Sequence, residues 1–241
     1  MRNAVFAFVL GLALAGPAAA QHEAALEPAN NNISNTASLQ RGAKYFVNYC
    51  LGCHSADYVR YNRLGQDLQL TEQQLIDNLM FTGERPFDTM ANAMRPEDAE
   101  RWFGIAPPDL SLIARSRGTD YIYTFLRSFY ASPTSETGVD NVVLPGTAMP
   151  HVLWQLQGTQ RAVYEEHDGA PVLERLELAQ PGALGVAEFD DVVRDIVNFL
   201  DYIAEPIKRE RQQLGIRVIG FLLVFLLIAY MLKKEIWKDV K

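Results

Sequence analysis

Cys50-Leu51-Gly52-Cys53-His54 holds both cysteines of this 241-residue chain, so neither thiol has another cysteine elsewhere to pair with. The run has the Cys-x-x-Cys-His form of covalent c-type haem attachment. Two thiols three positions apart can each add to one vinyl group of a haem, and the imidazole beside the second lies close enough to ligate the iron. Competing readings ask for more than the chain offers. A redox dithiol of thioredoxin type sits in a βαβ pattern, and none surrounds residues 50–54. A tetrahedral zinc site draws on four Cys or His ligands at regular spacings, whereas here two cysteines are joined only by His22, His54, His151 and His167.

The two ends of the chain give the compartment. Met1-Arg2-Asn3 carries one positive charge, Ala4 to Gly16 is apolar without a charged residue, and Ala18-Ala19-Ala20 supplies small residues for cleavage, so residues 1–20 read as a cleavable signal peptide. The apolar run is short for a membrane span of about 20 residues. Export agrees with the cysteine usage, because haem attachment leaves no spare thiol in an oxidising compartment. At the other end, Leu214 to Leu232 is interrupted by one charge, Arg217, and followed by Lys233, Lys234, Lys238 and Lys241. It reads as one transmembrane helix, assigned to residues 211–233 with a tail at 234–241; the apolar run spans roughly 28 Å at 1.5 Å per residue. Arg217 is near enough to the end to snorkel, and Tyr230 and Trp237 suit the far interface. Flanking basic residues are balanced and do not orient the helix. The exported head, residues 21–210, does, placing the C-terminus in the cytoplasm.

About 190 residues remain between these segments, enough for one domain with its own core. The formal net charge of -7 becomes -8 once Arg2 leaves, which argues against nucleic acid as a partner and suits either a basic protein or plain solubility. The expected fold class is mainly α. Residues 21–37 read as an irregular leader. From Ser38, taken as an N-cap, Leu39, Ala43, Phe46, Val47 and Cys50 recur at helical spacing, so the haem-attachment run closes a helix. A second helix follows Thr71, with Leu75, Ile76 and Leu79 on one face. A third begins near Thr119 with Ile122, Phe125, Leu126 and Phe129 as its stripe. The longest soluble pattern, Phe189, Val192, Val193, Ile196, Val197, Leu200 and Ile203, forms one helix face that Pro206 stops. One stretch departs from helix: alternating runs at 161–164 and 172–176 flank Asp168-Gly169, predicting a β-hairpin with His167 at its solvated tip.

A haem iron needs a second axial ligand or an open position. Candidates are Met80, Met90, Met94, Met149, His22 and His151. Met80 falls on a predicted helix as core packing, and Met90 and Met94 lie in an acid-rich, mobile-looking stretch. Leu144-Pro145-Gly146-Thr147-Ala148-Met149-Pro150 is a proline-bracketed loop able to present a thioether, which favours Met149 and leaves His151 and an open site as alternatives. Ala106-Pro107-Pro108-Asp109-Leu110-Ser111 is a rigid turn whose carbonyls can accept the other N–H of His54. Arg115 and Arg117 follow, where a guanidinium can pair with a haem propionate or simply be solvated. Trp102 and Trp154 are core or haem-wall aromatics.

These residues together resemble the cytochrome c1 family, the haem subunit of the cytochrome bc1 complex. The likeness rests on Gly42 to His54, on Pro107 to Ser111 with Arg115 and Arg117, and on Asp120-Tyr121. It continues through Ala148-Met149-Pro150, Asp195 to Pro206, and the single C-terminal span with Lys233, Lys234 and Trp237. The resemblance implies a cytochrome c-like helical core with insertions, in which the helix of Gly42 and Phe46 crosses the helix of Phe199 and Tyr202. It implies one covalent haem c, with Cys50 and Cys53 as thioether anchors, His54 and Met149 as axial ligands, and Arg117 as the favoured propionate partner. It also implies electron transfer from a Rieske iron-sulfur protein to a cytochrome c, beside cytochrome b in a dimeric complex that oxidises quinol. No residue then acts as acid, base or nucleophile, and the chain by itself is not an enzyme.

Trp102-Phe103-Gly104 stands where mitochondrial members carry small and amide residues, and the segment from Tyr130 to Met149 is short; both fit a bacterial variant, which implies a bacterial inner membrane with the head, residues 21–210, in the periplasm. A cytochrome anchored to a terminal oxidase or nitric oxide reductase would share the haem, signal and span, and a haem sensor or peroxidase would need an open sixth position.

Overall fold

The computed structural model of the protein describes residues 25–167 and 170–239. The expected signal peptide, His22 and the Asp168-Gly169 turn lie outside the described residues. Helix α1 (Thr36–Tyr49) leads through strand β1 (Ala56–Arg60) into helices α2 (Tyr61–Asp67) and α3 (Glu72–Leu79). Strand β2 (Thr89–Met90) returns to pair antiparallel with β1, and helices α4 (Pro96–Phe103), α5 (Ile113–Arg117) and α6 (Thr119–Arg127) follow. An antiparallel pair, β3 (Phe129–Ala131) and β4 (Val139–Asn141), precedes the single turn α7 (Trp154–Gln157). A long antiparallel hairpin, β5 (Gly158–His167) and β6 (Ala170–Pro181), then gives way to helices α8 (Val186–Ala204) and α9 (Lys208–Ile236). The mainly helical fold, the hairpin and the long C-terminal apolar helix agree with the sequence reading.

The core is organised by the crossing of α1 over α8. Gly42 sits at the contact, where the missing side chain lets α1 approach the Asp195 carbonyl and the Phe199 β-carbon. One turn along, the Phe46 and Phe199 rings meet at 5.3 Å, both fully buried. At the other end of the crossing the Asp195 carboxylate, nearly buried, accepts from the Ser38 hydroxyl at 2.6 Å and from Arg41 Nε and Nη2 at 2.6 and 2.9 Å. Three donors on one carboxylate offset its desolvation.

Several local expectations are corrected. Asn35, not Ser38, caps α1, its side chain accepting from the Ser38 N–H at 3.2 Å. Ser38 is a buried position within the helix because its hydroxyl is needed by Asp195. On α3 the capping box of Thr71 and Gln74 forms and Leu75 and Leu79 are buried, but Ile76 is exposed, being about 100° around the helix from Leu75. Phe129 is not on α6: the helix ends at Arg127, and Phe129 is fully buried in β3. Met90 is not in a mobile stretch; it is fully buried in β2 opposite Ala56. Trp102 and Trp154 are mostly exposed, which removes the core reading of them and leaves the haem wall.

Residues 25–35 of the expected leader are irregular, residues 36 and 37 already belong to α1, and the irregular part is pinned. The Ala29 N–H donates to Asp120 Oδ1 at 2.9 Å, the Glu27 N–H to Thr124 Oγ1 at 2.8 Å, and Arg194 Nε to the Ala29 carbonyl at 3.1 Å. These bonds run the segment over α6 and α8. Where α8 ends before Pro206, Lys208 Nζ bridges back to both Asp201 oxygens at 2.8 and 2.9 Å, and Arg211 pairs with Glu205. Helix α9 then runs one turn beyond the expected 211–233 span at each end, and its apolar side chains are exposed. Such a surface is stable only when lipid or protein covers it.

Candidate haem site

Cys50 closes α1 as its C-cap, and the chain then coils once more: the Cys53 and His54 N–H groups both donate to the Cys50 carbonyl, at 3.0 and 2.8 Å. This extra turn sets both cysteines and the histidine on one tight bend of backbone. The two thiols are not joined in a disulfide. Burial pushes Cys50 up to about 12 and raises Cys53 as well. A reactive dithiol has the opposite arrangement, a helix N-terminus that lowers the thiol pKa. Here the pair stands at a helix C-terminus, so the geometry does not serve thiol redox chemistry.

His54 is fixed by the proline turn. Its Nδ1–H donates to the Pro108 carbonyl at 2.8 Å, leaving Nε2 with a lone pair for a ligand. Burial holds the imidazole below its ordinary pKa, hence neutral, against the Pro108 bond and the Asp109 charge. The turn itself is latched to the segment after His54. The Leu110 N–H donates to the Ser55 carbonyl at 2.8 Å, the Asp57 N–H to Asp109 Oδ2 at 2.8 Å, and the Tyr58 N–H to Ser111 Oγ at 3.1 Å. Asn92 completes the frame, with Nδ2 donating to the Cys53 carbonyl at 2.6 Å and its N–H to Ser55 Oγ at 3.0 Å. Asn92 carried no signal in the sequence, since a lone asparagine between two alanines reads as a loop residue.

Met149 stands on a different segment, half-buried against the core. Its loop is built around fully buried Asn141, whose Oδ1 accepts from the Val143 and Leu144 N–H groups at 2.9 and 3.2 Å while Nδ2 donates to the Phe125 carbonyl at 2.8 Å. Gly146, at φ +74°, makes the turn before Met149. His151 points into the core and is nine-tenths buried, which lowers its pKa to about 4. Arg115 and Arg117 are exposed on the last turn of α5, and the Arg117 guanidinium lies 5.4 Å from the Tyr121 ring centroid. The structure thus joins Pro108 to His54 directly, and places Met149, Arg115 and Arg117 on separate elements.

The donor set can be tested for the group it suits. Among the described residues no three His, Cys, Asp or Glu side chains gather to hold a metal ion on their own. Two free thiols with an adjacent oriented imidazole instead fit a macrocycle that brings its own equatorial nitrogens and needs anchors and axial ligands. The fold and this site define a c-type cytochrome with an apolar C-terminal helix.

The model of the Cytochrome C1 family matches residues 31–172 and 185–240. Cytochrome c1 of Allochromatium vinosum is 48% identical over 243 residues, covering 100% of both chains. A Nitrosomonas europaea protein named ammonia monooxygenase gamma subunit is 44% identical over 218 residues, 90% of each. Cytochrome c1 of Rhodospirillum rubrum is 28% identical over 241 residues, 84% of this chain and 82% of its own. The chain belongs to the cytochrome c1 family. It is a membrane-anchored electron-transfer subunit of the cytochrome bc1 complex carrying a covalently bound c-type haem, and is not itself catalytic.

Proposed function

We propose that Cys50 and Cys53 form the two thioether links, that His54 and Met149 are the axial ligands, and that Pro108 sets the orientation and basicity of His54. The observation that carries this reading is the 2.8 Å bond from His54 Nδ1–H to the Pro108 carbonyl, which commits one ring nitrogen and aims the other. Arg117, and Arg115 beside it, supply the positive charge for the propionates, Arg117 being steadied by its stacking on Tyr121. When bound, the haem supplies a one-electron couple, and a thioether ligand raises its potential relative to bis-imidazole. The residues then tune, orient and keep the sixth position closed. Oxygen insertion, which the name of the Nitrosomonas relative suggests, needs an open metal position that a His54 and Met149 pair removes.

In this reading the head occupies residues 21–210 in the periplasm, the span residues 211–233, and the tail the cytoplasm. The subunit sits beside cytochrome b, receives electrons from the Rieske iron-sulfur protein and passes them to a cytochrome c. Purifying the full chain from its native membrane should bring down a b-type cytochrome and a Rieske protein, with the c-type haem reduced on addition of quinol. Recovery with terminal oxidase or nitric oxide reductase subunits instead would overturn these partners.

A further inference from the structure

We infer that His151 is a positioning residue, a flat ring that seats the Met149 segment on a stack of aromatic rings reaching back to Arg117. The stack begins where the Arg117 guanidinium covers Tyr121. Tyr121 and Phe125, one helical turn apart on α6, lie 6.3 Å apart with planes at 5°. Phe125 meets Phe129 edge to face at 5.1 Å and 71°. Phe129 and His151 are stacked at 5.0 Å with planes at 7°. The rows thus connect the cation proposed for the propionates to the loop proposed for the sixth ligand.

The faces of the His151 ring carry the contact, not its nitrogens. Among the described residues neither nitrogen finds a hydrogen bond of ordinary geometry, although the Gln157 side chain and the Gly158 backbone approach the ring. Burying an imidazole this way is costly for a group used only as a spacer, and what the slot exploits is a planar side chain against Phe129. Between His151 and Met149 stands only Pro150, whose ring locks one backbone torsion. Little slack remains in that link, so a displaced His151 moves the thioether with it. On the other side of Met149, the Thr147 hydroxyl accepts its N–H at 3.3 Å. Asn141 and His151 therefore grip the loop from its two ends, the first by hydrogen bonds and the second by stacking.

The inference rests on Met149 being the iron ligand, and its test separates the two. The full chain is prepared with haem attached as wild type, His151→Ala, His151→Phe and Met149→Leu, with haem content checked by denaturing haem stain. His151→Leu, which fills most of the volume without a flat ring, replaces alanine if that variant does not accumulate. Readouts are the Met-to-iron charge-transfer band of the oxidised protein, carbon monoxide binding by the reduced protein, and the reduction potential. His151→Ala should weaken the band, admit carbon monoxide, and lose about tenfold of the preference for ferrous iron, a fall of about 59 mV for one electron. His151→Phe should keep the band and the closed site. If His151→Ala matches wild type while Met149→Leu has lost the band, or if His151→Phe fails as completely as alanine with haem retained, the positioning role is overturned. If Met149→Leu keeps the band, the ligand reading falls and this inference with it.

Discussion

Replacing Cys50 and Cys53 together by alanine should abolish covalent haem altogether, leaving a chain that carries no haem stain after denaturing electrophoresis. The expectation follows from the count: these are the only two cysteines, so no third thiol can take over. It follows also from their placement, since both are unpaired and lie on the one turn that continues α1. Either single variant should retain one thioether. One vinyl group would then stay conjugated with the macrocycle, and the α-band of the reduced pyridine complex should move to longer wavelength than in wild type. His54 would still be held by Pro108 in all three proteins, because that bond does not involve the thiols. Stain persisting in the double variant would show that haem is attached elsewhere.

Gly42→Ala should damage the head severely, because its methyl group falls inside the α1–α8 crossing. A β-carbon there would lie 2.0 Å from the Asp195 carbonyl oxygen and 2.7 Å from the Phe199 β-carbon. Neither atom belongs to a flexible side-chain end, so the strain cannot be relieved by a rotamer change. The helices must separate, which loosens the Phe46–Phe199 contact and the bonds from Ser38 and Arg41 to Asp195. Overpacking against backbone costs about 3 kcal/mol or more. For a head of this size that corresponds to a thermal midpoint lower by roughly 6–12 °C. Gly185→Ala, away from the haem-attachment run, is the comparison, since a β-carbon there meets only the Glu188 carboxylate at 3.6 Å, an ordinary contact, and its change should stay within about 1 kcal/mol. Thermal melts followed by circular dichroism read both. An unchanged midpoint for Gly42→Ala would mean that α1 and α8 are not locked at this crossing.

The parts of the molecule that were legible in the sequence are those where one periodicity prevails. The stripe from Phe189 to Ile203 predicts α8 because every member packs on α1 or the elements beside it, and Asp-Gly between alternating runs predicts the β5–β6 hairpin. The haem-attachment run was legible because its chemistry fixes both residue type and spacing. Positions set by distant partners were not. Ser38 has the composition of an N-cap and is used instead by a carboxylate 157 residues away. Met90 is hidden by a two-residue strand whose pairing with β1 no local pattern announces. Phe129 continues the spacing of α6, so the end of that helix is invisible until β3 pairs with β4. His151 and Asn92 gain their roles only from what the fold places beside them.

The most direct test of the account is the optical spectrum of the wild-type full chain, oxidised and then reduced under carbon monoxide, in its native complex. A closed electron carrier requires a Met-to-iron charge-transfer band in the oxidised form and a reduced spectrum unaltered by carbon monoxide, because His54 and Met149 fill both axial positions. Absence of that band, or a carbon monoxide complex formed by the unmodified protein, would contradict the axial pair and with it the closed one-electron site.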